Sequence, residues 1–204
     1  RRRTMVTDTK PAIERRSFHV AEIRAPADGE GRTITGHAAV FNELSAEMLG
    51  FREKIEPGAF AESIEQDDVR ELWNHDAGDV LGRTRSGTLR LVEDELGLAF
   101  EIDVAETQVG RDALVSIRRG DVDDMSFGFL AIEDEWTQES GEAAPTRTLK
   151  KVRLLDVSPV TFPAYPQTDV AVRSLEAWRA EQEAPRLSGL TMRMRRQRLA
   201  EAED

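Results

Sequence analysis

Three residues combine a reactive side chain with a local sequence that would put it to use: His75, Ser126 and Asp156. The chain has three histidines, at positions 19, 37 and 75. His19 and His37 fall inside alternating strand patterns, where an imidazole packs or sits on an exposed sheet position. His75 follows the apolar run Val69 to Trp73, flanked by Asn74 and Asp76, at the kind of loop edge from which functional side chains reach a cleft. Ser126 lies in Asp124-Met125-Ser126-Phe127-Gly128-Phe129. A serine becomes a nucleophile only beside a base, and a nearby glycine admits close approach by substrate or by an oxyanion donor. A buried serine satisfied by the sheet is the competing reading. In Val152 to Val160, strict alternation puts Asp156 on the face of Val152, Leu154 and Val160, opposite Arg153. An ionised carboxylate on an apolar face needs a partner, an imidazolium or a guanidinium. A triad aspartate and a structural salt bridge both meet that need, and a β-bulge would undo the alternation.

Other chemistries have less to stand on. Without a cysteine there is no disulfide, thiolate metal site or cysteine nucleophile. Asp121, Asp123 and Asp124 read as a solvated loop or a weak cation site, no phosphate-binding glycine loop is present, and no metal or cofactor is expected. The formal charge of −11 opposes non-specific DNA binding by the whole surface. Two basic stretches stand apart: Arg1 to Arg3 with Lys10, Arg15 and Arg16, and Arg193, Arg195, Arg196 and Arg198. Each reads as a solvated tail or as a dock for an acidic partner or nucleic acid. No run is apolar for long enough to span a bilayer, so a soluble intracellular protein is expected. The start at Arg1 suits a trimmed or incomplete product.

The elements that must position these residues come from periodicity and turn chemistry. Residues 1–16 read as a flexible basic arm, 17–172 as one domain, and 173–204 as a C-terminal helix and charged tail. Alternation predicts a hairpin from Ser17 to Arg24 and Thr33 to Phe41. A short helix is expected within Ile55 to Ile64, then a strand from Val69 into Asn74-His75, and a meander over Leu81 to Val104. Thr107 should cap a helix through Arg119 that Gly120 ends. A strand from Asp124 to Ile132, a polar loop over Glu133 to Pro145, and strands Thr148 to Leu155 and Val157 to Thr161 complete the pattern, with Pro159 breaking regular pairing. The expected class is α+β, a mainly antiparallel closed or nearly closed β barrel with flanking helices.

Four ordered motifs carry a resemblance: Ile55-Glu-Pro-Gly-Ala-Phe60; Trp73-Asn-His-Asp76; Met125-Ser-Phe-Gly-Phe129; and Leu155-Asp-Val-Ser-Pro-Val160 followed by Phe162-Pro-Ala164. Together, over roughly Phe18 to Val172, the chain resembles the prohead maturation proteases of tailed phages, serine peptidases with a fold similar to the herpesvirus capsid protease. The resemblance implies His75 as general base, Ser126 as nucleophile and Asp156 as third member. The family often has glutamate at that third place. It further implies the major capsid protein and its scaffolding segment as partners and substrates, cleavage of the protease itself, self-association, and a place in the host cytoplasm inside the immature capsid. Membranes are not expected as partners, and nucleic acid only at the basic tails. The alternative is a non-catalytic assembly or scaffolding module that binds capsid subunits.

Overall fold

Two long strands organise the molecule: in the first, phenylalanines alternate with small residues over Ser126 to Phe129, and in the second, threonines, valines and leucines recur among charged and small residues. They are β10 (Asp124–Thr137) and β11 (Thr146–Val160), paired antiparallel. A computed structural model describes residues 4–5, 12–18, 23–27, 31–139, 141–162 and 171–182. The chain divides into two units, Arg1–Thr168 and Asp169–Asp204, and the described part of the second is a helix over 171–182.

The other strands are β1 (Thr4–Met5), β2 (Glu14–Phe18), β3 (Ile23–Arg24), β4 (Thr33–Val40), β5 (Arg52–Ile55), β6 (Arg70–Leu72), β7 (Val80–Arg83), β8 (Leu89–Glu93) and β9 (Gly97–Asp103). One sheet has the order β1-β10-β11-β6-β7, with β2 also on β10 and β5 also on β11; the other has the order β3-β4-β9-β8. Neither closes on itself among the described residues. The expected closed or nearly closed barrel is therefore corrected to two open sheets in an α+β fold. The expected meander is divided too, since β7 pairs with β6 while β8 pairs with β9 in the other sheet. Periodicity identifies a strand but not its neighbour, and the turn at Ser86-Gly87 passes the chain from one sheet to the other.

The first strand also differs from expectation. The hairpin is β3 on β4, whereas Glu14, Arg15 and Arg16, assigned to the flexible arm, lie in β2 on β10. Their chemistry explains this. Arg16 Nε donates to Glu53 at 2.6 Å and its Nη2 to Glu14 at 2.7 Å. Arg147 bonds Asp134 at 2.7 Å, Glu14 at 2.9 Å and Glu53 at 3.0 Å. Glu14 and Glu53 are fully buried and Arg147 is 1% exposed. Burial alone would push the Glu14 carboxyl up, but Arg147 and Arg16 hold it below its ordinary range. Burial likewise opposes the Arg147 charge, which Glu53 and Glu14 more than restore. The segment read as a polar loop from Glu133 is strand as far as Thr137, because Asp134 is paired with Arg147 and Glu135 with Lys150.

Both expected helices form, but the first starts later than expected and runs two residues past Ile64. α2 (Gln108–Arg119) is capped by Thr107, whose hydroxyl accepts from Gly110 N, and ends at Gly120 with φ 75°. Ala113, Leu114 and Ile117 on its buried stripe enter the core. Pro57 stays outside α1 (Ala61–Gln66); the preceding turn is held by Glu93, whose carboxylate accepts from Gly58 N at 2.9 Å and Phe60 N at 2.8 Å. The core joins Ile34, Leu98, Phe100 and Ile102 of one sheet to Phe127, Phe129, Leu154 and Val157 of the other. Pro159 remains in the ladder opposite Met125; the pairing of β11 with β6 on its other flank has already ended at Val157.

Candidate active site

Register fixes which side chains can meet. Across the ladder Ser126 lies opposite Ser158 and Gly128 opposite Asp156, but Phe129 lies opposite Leu154, so Leu155 is an extra residue in β11. That bulge rotates the strand by one position. Val152, Leu154 and Val157 face the core, whereas Asp156 and Ser158 share the opposite face with Ser126 and Gly128. The inference that Asp156 shares a face with Leu154 is thereby corrected: the residue is buried, but its carboxylate lies on the reverse side of the sheet from the apolar core. On the other flank of β10, Ser17 lies opposite Ser126. Small residues thus form a row, Ser17-Ser126-Ser158.

Gly128 has a specific reason to be glycine. A Cβ there would overlap Oδ1 of Asp156 and stand 3.2 Å from its Cγ. The space a side chain at residue 128 would fill is taken by the Asp156 carboxylate.

His75 comes from the end of β6. Strand β6 pairs parallel with β11 at Arg70–Asp156 and Glu71–Val157, and the chain then turns through a single 3-10 turn, Trp73–His75. Asn74 (φ 52°) and His75 (φ 60°) are both left-handed, a conformation costing an L-residue roughly 1–2 kcal/mol. Several bonds hold it. Trp73 N donates to Asp79 O, Asp76 N to Trp73 O, and Gly78 N to the Asp76 side chain at 2.7 Å. Asn74 Oδ1 accepts from Thr161 N at 2.9 Å, just beyond β11.

The result is a chain of hydrogen bonds. His75 Nδ1 lies 2.5 Å from Asp156 Oδ2, and Nε2 lies 2.7 Å from Ser126 Oγ. An ionised carboxylate only accepts, so Nδ1 carries the proton and Nε2 is left to accept from the serine hydroxyl. Ser158 Oγ donates to the same Asp156 oxygen at 2.8 Å and is fully buried. Sequence reasoning missed Ser158; its place two residues beyond Asp156 was the available signal. Ser126 itself has no exposed surface, and the His75 and Asp156 side chains are 7% and 11% exposed.

The remaining candidates lie apart from this chain. His37 Nε2 pairs with Asp94 at 2.8 Å on the four-stranded sheet. His19, the basic residues Arg1 to Arg3 with Lys10, and the stretch Arg193 to Arg198 lie outside the described residues. No group of three or more metal-ligating side chains forms among the described residues, and no helix among them is long and apolar enough to cross a membrane.

A family model described as caudovirus prohead serine protease matches residues 19–182. No curated protein matches the chain. Among solved structures, the bacteriophage T4 capsid assembly protease, gp21, is similar at 10% identity and a TM-score of 0.45, covering 74% of this chain and 98% of that one.

Proposed function

The chain belongs to the caudovirus prohead serine protease family, and from that membership we propose that Ser126, His75 and Asp156 are the catalytic triad of a phage capsid maturation protease. The observation that carries the assignment is the unbroken run Ser126 Oγ, His75 Nε2, His75 Nδ1, Asp156 Oδ2. Ser126 Oγ attacks the scissile carbonyl carbon while its proton passes to His75 Nε2. Asp156 holds the imidazole in the required tautomer and stabilises the imidazolium. The C–N bond then breaks, His75 returns the proton to the leaving amine, and an acyl ester remains on Ser126. Water, deprotonated by His75, hydrolyses the ester and restores the serine.

Within the family activity, the substrate reading is the scaffolding segment of the major capsid protein or a separate scaffold, together with the protease itself, cut inside the immature shell in the host cytoplasm. Self-association of the protease belongs to the same proposal. A non-catalytic assembly module is not favoured, since it gives no reason for a glycine that spares one carboxylate oxygen while two groups donate to the other.

The test uses a fluorophosphonate, which phosphonylates an activated serine: Oγ bonds to phosphorus and fluoride leaves. Wild-type protein is expected to label on Ser126, and Ser126→Ala to neither label nor cleave itself or scaffold. Cleavage by Ser126→Ala at the wild-type rate would remove the serine from its role.

A further inference from the structure

We propose that Asn74 is a positioning residue for His75, acting through the bond from Thr161 N–H to its side-chain oxygen; this rests on the assignment of His75 as general base. The left-handed pair at Asn74 and His75 aims the imidazole between Ser126 and Asp156. Bonds at Trp73, Asp76 and Gly78 close the loop on itself, and Trp73 packs against the core at its start. Asn74 instead reaches across to the end of β11, the strand that carries Asp156.

Asparagine suits both demands, since it is among the few non-glycine residues that tolerate left-handed backbone and its amide presents an acceptor. The bond matters most when the ring changes charge. As Ser126 loses its proton the imidazole must stay in place between two partners whose hydrogen bonds are both altering, and small displacements are costly in rate. Asn74 touches neither the proton nor the substrate carbonyl, so its effect runs through His75.

Three variants separate the bond from the backbone: Asn74→Gly keeps the left-handed conformation and loses the acceptor, Asn74→Asp keeps an acceptor, and Asn74→Ala loses both. The readout is fluorophosphonate labelling of Ser126, resolved into the saturating rate and the half-saturation concentration. Each is measured at the plateau of its own pH profile, because the aspartate adds a charge beside His75. Asn74→Ala and Asn74→Gly should each lose about ten-fold in saturating rate, equivalent to ~1.4 kcal/mol of barrier, with half-saturation unchanged. Asn74→Asp should recover most of the loss. Circular dichroism and urea unfolding confirm that each variant is folded. A glycine variant as fast as wild type would overturn the proposal in favour of backbone conformation alone. So would a loss confined to half-saturation, or folded variants that all label at the wild-type rate. A wild-type protein that fails to label overturns the triad reading itself, and this inference with it.

Discussion

Glu71 should make the folded protein lose stability as pH rises, and its replacement should abolish that dependence. The residue is on β6, opposite Val157 and Gly82, both of which turn toward the space between the sheets; the atoms nearest a Cβ on Gly82 belong to Ile102 and Thr88. It is fully buried, and among the described residues neither carboxyl oxygen has a hydrogen-bond partner. Burial alone pushes its pKa well above the ordinary carboxylate value. Folded Glu71 therefore keeps a proton that the unfolded chain releases. Its contribution is fully retained below the unfolded pKa and is lost as pH rises toward the folded one. The slope across that window is about 1.4 kcal/mol per pH unit. In Glu71→Gln, which cannot titrate, this component vanishes; in Glu71→Leu, removing an unpaired polar group from the core should add about 1–3 kcal/mol at neutral pH. The assay is urea unfolding at successive pH values from 5 upward, in a Ser126→Ala background so that self-cleavage does not intrude. Subtracting the Glu71→Gln curve cancels every other titrating group. A difference that stays flat with pH would refute the neutral, unpaired carboxyl.

Other consequences follow from the site and its supports. Gly128→Ala should displace the Asp156 carboxylate and slow labelling of Ser126, by an amount bounded by the roughly 10⁴-fold loss seen when a triad aspartate is disabled, while overpacking costs about 1–3 kcal/mol of stability; an unchanged labelling rate would count against the tight fit at residue 128. Ser158→Ala removes a hydrogen bond to a charged oxygen, worth about 1.5–3 kcal/mol, and should lower the labelling rate with little change in half-saturation. Arg147→Leu leaves Glu14, Glu53 and Asp134 without their central cation and should destabilise by about 3–5 kcal/mol in urea. Because the Glu14 carboxyl is held low, its stabilisation is present above the ordinary carboxylate pKa and is lost as pH falls through the folded value. Acid titration of unfolding in wild type and Arg147→Leu should show that loss shrinking in the variant.

Much of the fold could be read because local chemistry sufficed. Thr107 and Gly120 mark the ends of α2 since a cap and a left-handed stop depend on neighbours within one turn of helix. The run into Asn74-His75 was legible as a strand giving way to a loop for the same reason. The strand exchange between sheets was not, because β7 and β8 look alike in sequence and differ only in the partner they find. Nor was β2: Glu14 and Arg16 read as polar arm residues until Glu53, Asp134 and Arg147 arrive from distant parts of the chain to bury their charge.

The candidate site divides along the same line. By itself the sequence supplied the residue types and their order, a histidine at a loop edge, a serine before glycine and an acid in a strand, and the four motifs that mark the family. Tertiary structure decided how they meet. Strict alternation puts Asp156 on the face of Leu154, yet a bulge at Leu155 turns it to the other face, where its carboxylate meets the His75 ring that also bonds Ser126. A bulge is a property of two strands in register, and the sequence of either one alone does not contain it.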